Sequence, residues 1–240
     1  MPADISGRVA RRDFLKHVGG ATLGLALARV ALAADPGKPP PKPENVLSPD
    51  AALERLLRGN ARYVEGVAKR HDFLAEREAL VGGQNPYAAI LSCADSRIAP
   101  EYAFDAARGD LFVVRVAGNF ANADVIASLE YCVAFLNVPL IMVLGHGSCG
   151  AVDATIKSVE GHTTLPGHLP SLADAIAPAV QAAVGQPGDL LDNAIRENVV
   201  LNVQTLSRAL PILSKSVAEH TVRIVGGIYN LATGKVDLVG

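Results

Sequence analysis

Pro139-Leu140-Ile141-Met142-Val143-Leu144-Gly145-His146-Gly147-Ser148-Cys149-Gly150-Ala151-Val152 sets the fold: an apolar run, a glycine-rich stop, then the opening of a periodic segment. A short run of Val, Ile and Leu with no polar alternation predicts a strand covered on both faces, as in a parallel sheet. Residues 148–159 then read as a helix. Residues 87–92, 111–116 and 222–228 repeat the apolar run. Between the second and third runs, residues 123–136 carry Val125, Ile126, Leu129, Val133 and Leu136 at helical spacing, a crossover helix. Upstream, Ser48-Pro49-Asp50 offers an N-cap to an amphipathic helix with Leu53, Leu56, Leu57 and Tyr63 on its apolar side. A second helix is expected over 71–80, ended by Gly82-Gly83, and one or two more over 190–213. At the end, 221–230 and 236–239 flank a turn and predict a hairpin. The expectation is α/β: a central, mostly parallel sheet of four to five strands flanked by helices, without internal repeats.

Composition narrows the function. The 240 residues are 50% hydrophobic and 19% charged, enough for a full core of one domain of about 200 residues. A formal net charge of -2 gives no footprint for nucleic acid or an anionic membrane, and 5% aromatics without Trp give no stacking platform, so a small-molecule partner is expected. The N-terminus reads as an address. Arg11-Arg12-Asp13-Phe14-Leu15-Lys16 precedes an uncharged stretch over 18–28, too short to span a bilayer, and Ala31-Leu32-Ala33 supplies a small-x-small cleavage pattern. Residues 1–33 are therefore expected to be a twin-arginine-type signal peptide, 34–49 a Pro-rich linker, and 50–240 the catalytic domain. The protein is expected to be exported, periplasmic or extracytoplasmic, with no stable membrane anchor.

Cys93-Ala94-Asp95-Ser96-Arg97 follows the first run and Gly145-His146-Gly147-Ser148-Cys149-Gly150 the third. Both fall at carboxyl ends of parallel strands, where open α/β sheets place their ligands. Cys93, His146 and Cys149 form a soft nitrogen and sulfur set that suits zinc, and three protein ligands leave a fourth tetrahedral position for water or substrate. A helix N-terminus at Cys149 favours its thiolate. Cys132, among apolar neighbours in mid-helix, is read as core. Three cysteines make no disulfide framework.

These two motifs resemble the signature of the β-class carbonic anhydrases, with similarity from about residue 51 to the C-terminus. The resemblance implies reversible hydration of carbon dioxide to bicarbonate by a hydroxide on a single zinc ion, in homodimers or higher homo-oligomers with active sites at subunit interfaces. It also implies Cys93, His146 and Cys149 as the ligands and Asp95 with Arg97 as the catalytic pair, Asp95 joining the metal only if the site closes. Ile90 stands where the regulated type of the family carries a tryptophan, and Gln84 where the open, plant-like type has a substrate-binding glutamine; the open type is expected. Phe112, Ala117 and Tyr131 are implied as an apolar substrate pocket, partly from the neighbouring subunit. His71, His162, His168 and His220 are candidate proton relays that the sequence does not separate. Two alternatives stay open: hydrolysis of carbonyl sulfide or carbon disulfide on the same scaffold, and a non-catalytic zinc or redox-sensing protein.

Overall fold

The computed structural model describes residues 39–161 and 163–239. The expected signal peptide, the first part of the linker and His162 lie outside them. Five strands form one sheet in the order β2-β1-β3-β4-β5, with β1 (Ala88–Ser92), β2 (Leu111–Arg115), β3 (Leu140–His146) and β4 (Arg223–Tyr229) parallel and β5 (Val236–Val239) antiparallel to β4. The α/β expectation, with a mostly parallel sheet, is what the chain adopts.

Side chains alternate between two cores, as the two-residue period of a strand requires. Ala88, Ile90, Leu140, Met142 and Leu144 meet Leu53 and Leu56 of α1 (Pro49–Val64), together with Tyr87 and Phe104. Ala89, Leu91, Ile141 and Val143 meet α4 (Ala123–Leu136), α7 (Leu190–Arg208) and α8 (Ile212–Ala218) through Leu129, Cys132, Val133, Val199, Leu206 and Leu213. Buried Cys132 has its thiol pushed up to about 12 by desolvation and donates to Leu129 O, so it is a small hydrophobe, as read. Among the described residues no helix is long and apolar enough to cross a membrane.

The path of the chain creates the site. From β1 it moves outward through α3 (Pro100–Ala103) to the edge strand β2, then returns through α4 past β1 to β3. The carboxyl ends of β1 and β3 therefore lie side by side while their connections diverge, which opens a crevice at the sheet's switch point. The register pairs Ser92 with Leu144, so Cys93 and His146 leave the sheet almost level.

Five expectations are corrected. The third run extends to His146 because Gly145 is not a stop: a Cβ there would stand 2.7 Å from Val199 Cγ2, so the glycine lets α7 lie close on the strand. β2 is only half-buried, as befits an edge. Residues 169–183, not expected to be helical, form α6 (Leu169–Ala183), where Leu172, Ile176 and Val180 keep the period despite Pro178 inside the helix and the turn formers before it. Residues ahead of 50 also pack on the sheet and its helices. Lys42 pairs with Asp110, Asn45 is buried, and Leu47 rests on the α1 core, so this end of the Pro-rich segment belongs to the domain. The second predicted helix shortens to α2 (Phe73–Ala79), capped by Asp72.

Candidate metal centre

Cys93 lies one residue beyond β1, His146 ends β3, and Cys149 is the N-cap of α5 (Gly150–Val159). All three are buried, and one donor atom from each lies within 4.8 Å of the others, the two sulfurs 4.0 Å apart. Tetrahedral zinc with Zn–S near 2.3 Å separates two sulfurs by about 3.8 Å, so the spacing fits. The protonation pattern fits too. His146 Nδ1 lies 2.9 Å from Gly147 O and donates to it, which leaves the Nε2 lone pair aimed inward. That Nε2 is buried with no hydrogen-bond partner, a cost that a metal ligand would remove.

The two sulfurs lie in hydrogen-bond contact and bias each other in opposite directions. A hydrogen bond from Cys149 holds the Cys93 thiol well below its ordinary range, with help from His146 and the Gly118 amide, whereas that same hydrogen bond, burial and the charge on Cys93 push Cys149 up. The Ala151 and Val152 amides at the start of α5 oppose that rise. Burial weakens the imidazolium of His146, but the neighbouring Cys93 thiolate outweighs it and the pKa is raised. Concentrated negative charge with an idle imidazole lone pair is what a divalent cation resolves.

Asp95 stands beside the triad, with Oδ2 3.8 Å from His146 Nε2. Arg97 grips the carboxylate as a fork, Nε to Oδ1 at 2.9 Å and Nη2 to Oδ2 at 2.7 Å, and its backbone amide adds a third bond. Arg97 holds the Asp95 carboxyl far below the usual carboxylate range. Its Nη2 also donates to Ser148 O, joining the two motif loops through a residue at φ 52°, strained for a non-glycine.

Arg115, at the end of β2, is a site residue that sequence reasoning missed. Its guanidinium donates to the carbonyls of Cys93, Asp95 and Ile98, pinning the whole first loop. The available signal was a single charge closing an apolar run, Val113-Val114-Arg115.

The remaining predicted residues divide. Ala117 joins Gly150, Ala151, Leu169 and Leu172 around an apolar pocket of about 260 Å³ next to the triad's flanking residues. Gln84, Phe112 and Tyr131 are not brought to the triad of their own chain. Gln84 is exposed before β1, at the end opposite Cys93. Phe112 pairs in register with Ala89, about 13 Å of strand short of the carboxyl edge. Tyr131 packs on Phe112 and Phe135 instead, in an aromatic patch whose Tyr131 and Phe135 are 46% and 42% exposed. His71 pairs with Glu76 at 3.0 Å, and His168 and His220 lie in other turns, so none joins the triad.

A doubly wound sheet with a Cys-His-Cys set at its switch point, and an aspartate clamped by arginine beside it, defines a metalloenzyme of the β-carbonic-anhydrase fold. Comparison with known proteins agrees: a family profile described as carbonic anhydrase matches residues 88–236, and the chain belongs to that family. Carbonic anhydrase 2 of Mycobacterium tuberculosis is 38% identical over 192 residues, 80% of this chain and 93% of that protein. The carbonic anhydrase of Mycolicibacterium smegmatis is also 38% identical, over 194 residues, with the same coverage. Among solved structures, the Coccomyxa β-carbonic anhydrase in complex with acetazolamide shares 25% identity at a TM-score of 0.61, covering 78% of this chain and 85% of its own. A tetrameric β-carbonic anhydrase of Sordaria macrospora shares the fold at 22% identity, TM-score 0.62, covering 79% of this chain and 98% of its own.

Proposed function

We infer that the chain is a β-class carbonic anhydrase that catalyses the zinc-dependent, reversible hydration of carbon dioxide to bicarbonate and a proton. The observation that carries this reading is the convergence of Cys93, His146 and Cys149 at two adjacent strand ends, with His146 Nε2 left unused. Zinc held by these residues supplies Lewis acidity, which makes water nucleophilic near neutral pH. The chain supplies the rest. Asp95, kept ionised by Arg97 with Oδ2 beside His146, would accept a hydrogen bond from a water or hydroxide at the metal position and so orient it. Arg97 and Arg115 hold that carboxylate and its loop in place, so little reorganisation accompanies the reaction. The pocket at Ala117 and Ala151 offers an uncharged substrate an apolar surface with little competing water.

The open type of site is favoured. The chain has no Trp, Ile90 occupies the third position before Cys93, and both Asp95 oxygens are engaged by Arg97, which leaves Asp95 an acceptor rather than a fourth ligand. Gln84, Phe112 and Tyr131 serve the metal site of a second subunit in a homodimer or higher homo-oligomer; the exposed aromatic patch next to edge strand β2 supports this. Residues 1–33 direct export by the twin-arginine route to the periplasm or another extracytoplasmic space, a reading supported by Arg11-Arg12 and the uncharged stretch after them.

Stopped-flow carbon dioxide hydration, with zinc measured on the same sample, tests the function. Turnover in proportion to zinc content is expected, and zinc-loaded protein without hydration activity would overturn it. Carbonyl sulfide as competitor decides the scaffold's other chemistry: weak inhibition without sulfide release is expected, and rapid sulfide release would favour the hydrolase.

A further inference from the structure

Asn198 and Asn202 lie one turn apart on the buried stripe of α7, among Ile195, Val199 and Leu206. Asparagine is a poor helix former, and a buried amide is costly unless every polar atom is used. Two such residues in one apolar stripe therefore call for partners, and the partners lie in the turn between β2 and α4. Asn198 Nδ2 donates to Gly118 O at 2.7 Å, and Asn202 Oδ1 accepts from the Ala121 amide at 2.7 Å. Asn202 Nδ2 in turn donates to Asn198 O at 2.7 Å and to Asn198 Oδ1 at 3.1 Å, which fixes the Asn198 amide with its donor side toward the turn.

The residue they hold is the one that touches the metal site. The Gly118 N–H donates to Cys93 Sγ at 3.3 Å. Gly118 sits at φ +84°, and a Cβ there would come within 2.4 Å of Cδ1 of the fully buried Ile176. Only glycine lets the turn approach α6 this closely, and among the described residues the two asparagines are what tie it to α7 by side-chain hydrogen bonds.

We propose that Asn198 and Asn202 are positioning residues for the metal site: from α7 they hold the 117–121 turn so that the Gly118 amide stays on the Cys93 sulfur. Neither touches the sulfur or the substrate pocket. Their effect is transmitted through the turn: Asn198 fixes the Gly118 carbonyl and Asn202 the Ala121 amide, and the Gly118 N–H, in the preceding peptide, withdraws electron density from the thiolate and keeps its lone pairs aimed at the shared centre. The proposal rests on Cys93 being a metal ligand.

Cobalt(II) in place of zinc separates the two claims, because thiolate ligation gives a charge-transfer absorption that responds to hydrogen bonding at sulfur. Asn60 provides a control of the same kind, a buried amide bonded to Ala103 O, Gly234 O and the Val236 amide but to no member of the triad. The full chain, Asn198→Leu, Asn202→Ala and Asn60→Ala are compared by cobalt spectrum, by zinc release to a chromophoric chelator and by thermal denaturation. In Asn198→Leu the band is expected to move to longer wavelength and zinc to leave about 10-fold faster. Asn202→Ala is expected to shift both in the same direction by less, and Asn60→Ala to lower the Tm with neither change. Should Asn198→Leu fail to fold, the Asn202→Ala spectrum decides. Bands and release rates unchanged in the folded Asn198 and Asn202 variants would overturn the positioning role. A parent chain without any thiolate band would overturn the ligand assignment itself, and the proposal with it.

Discussion

Two of the buried polar clusters in this domain are built to opposite rules. Around Asp110, Lys42 and Asn45 donate to Oδ1 while Arg55 and the Ala107 amide donate to Oδ2, so both carboxylate oxygens are satisfied by the chain itself. Around Cys93, His146 and Cys149 the chain stops short: two buried sulfurs face each other at 4.0 Å and a buried imidazole nitrogen has no partner. The first cluster is closed and serves the fold, fastening the segment before α1 to the sheet. The second carries unspent ligand capacity, and folding energy alone gives no reason to keep it. Function shows in what the structure leaves unsatisfied.

Exchanging the damage between the clusters tests that contrast. The largest effect belongs to Cys149→Ser, which is expected to abolish both zinc binding and hydration while the circular dichroism of the domain persists; retained zinc at parent affinity would place the ion elsewhere. Asp110→Ala is expected to do the reverse. It strands Lys42 and Arg55 and lowers unfolding free energy by about 3 kcal/mol in urea titrations, with zinc per folded chain and kcat close to the parent values. A kcat collapse in folded Asp110→Ala protein would show that the two clusters are not independent.

Asp95→Asn probes the border of the open cluster. Zinc content should hold while kcat/KM for carbon dioxide falls about 100-fold, because the amide keeps the shape but loses the ionised acceptor; unchanged turnover would remove Asp95 from the reaction. The smallest effect is on stability against pH. Asp95 has a folded pKa depressed below its unfolded value, so its ion pair with Arg97 stabilises fully above the unfolded value of about 4, and the contribution is lost as pH falls through the lower folded one. The Tm difference between metal-free parent and Asp95→Asn should therefore be flat from pH 7 to 5 and shrink below about pH 4. A difference that grows on acidification would contradict the pairing.

How much of this was legible in the sequence follows from how local each signal is. The triad could be read because each motif immediately follows an apolar run, so strand ends and ligands announce each other. The crossover helix was legible to the residue, since Ala123–Leu136 carries an unbroken apolar period and Asn122 caps it. α6 was hidden, because Pro178 and the turn formers before it mask a period that tertiary packing of Ile176 and Val180 sustains. Arg115 and Asn198 were hidden for a different reason. Their partners are backbone carbonyls, and a carbonyl leaves no mark in the sequence. Gln84, Phe112 and Tyr131 came from resemblance alone, and one chain keeps them away from its own triad.

The central claim is that two sulfurs and one imidazole of a single chain share a zinc ion. X-ray absorption at the zinc edge of the purified full chain measures this most directly. The expected spectrum has two sulfur neighbours near 2.3 Å and a nitrogen near 2.0 Å, about one zinc per chain, with the sulfur shell lost in Cys149→Ser. Zinc surrounded only by nitrogen and oxygen, or active protein with no zinc at all, would contradict the account.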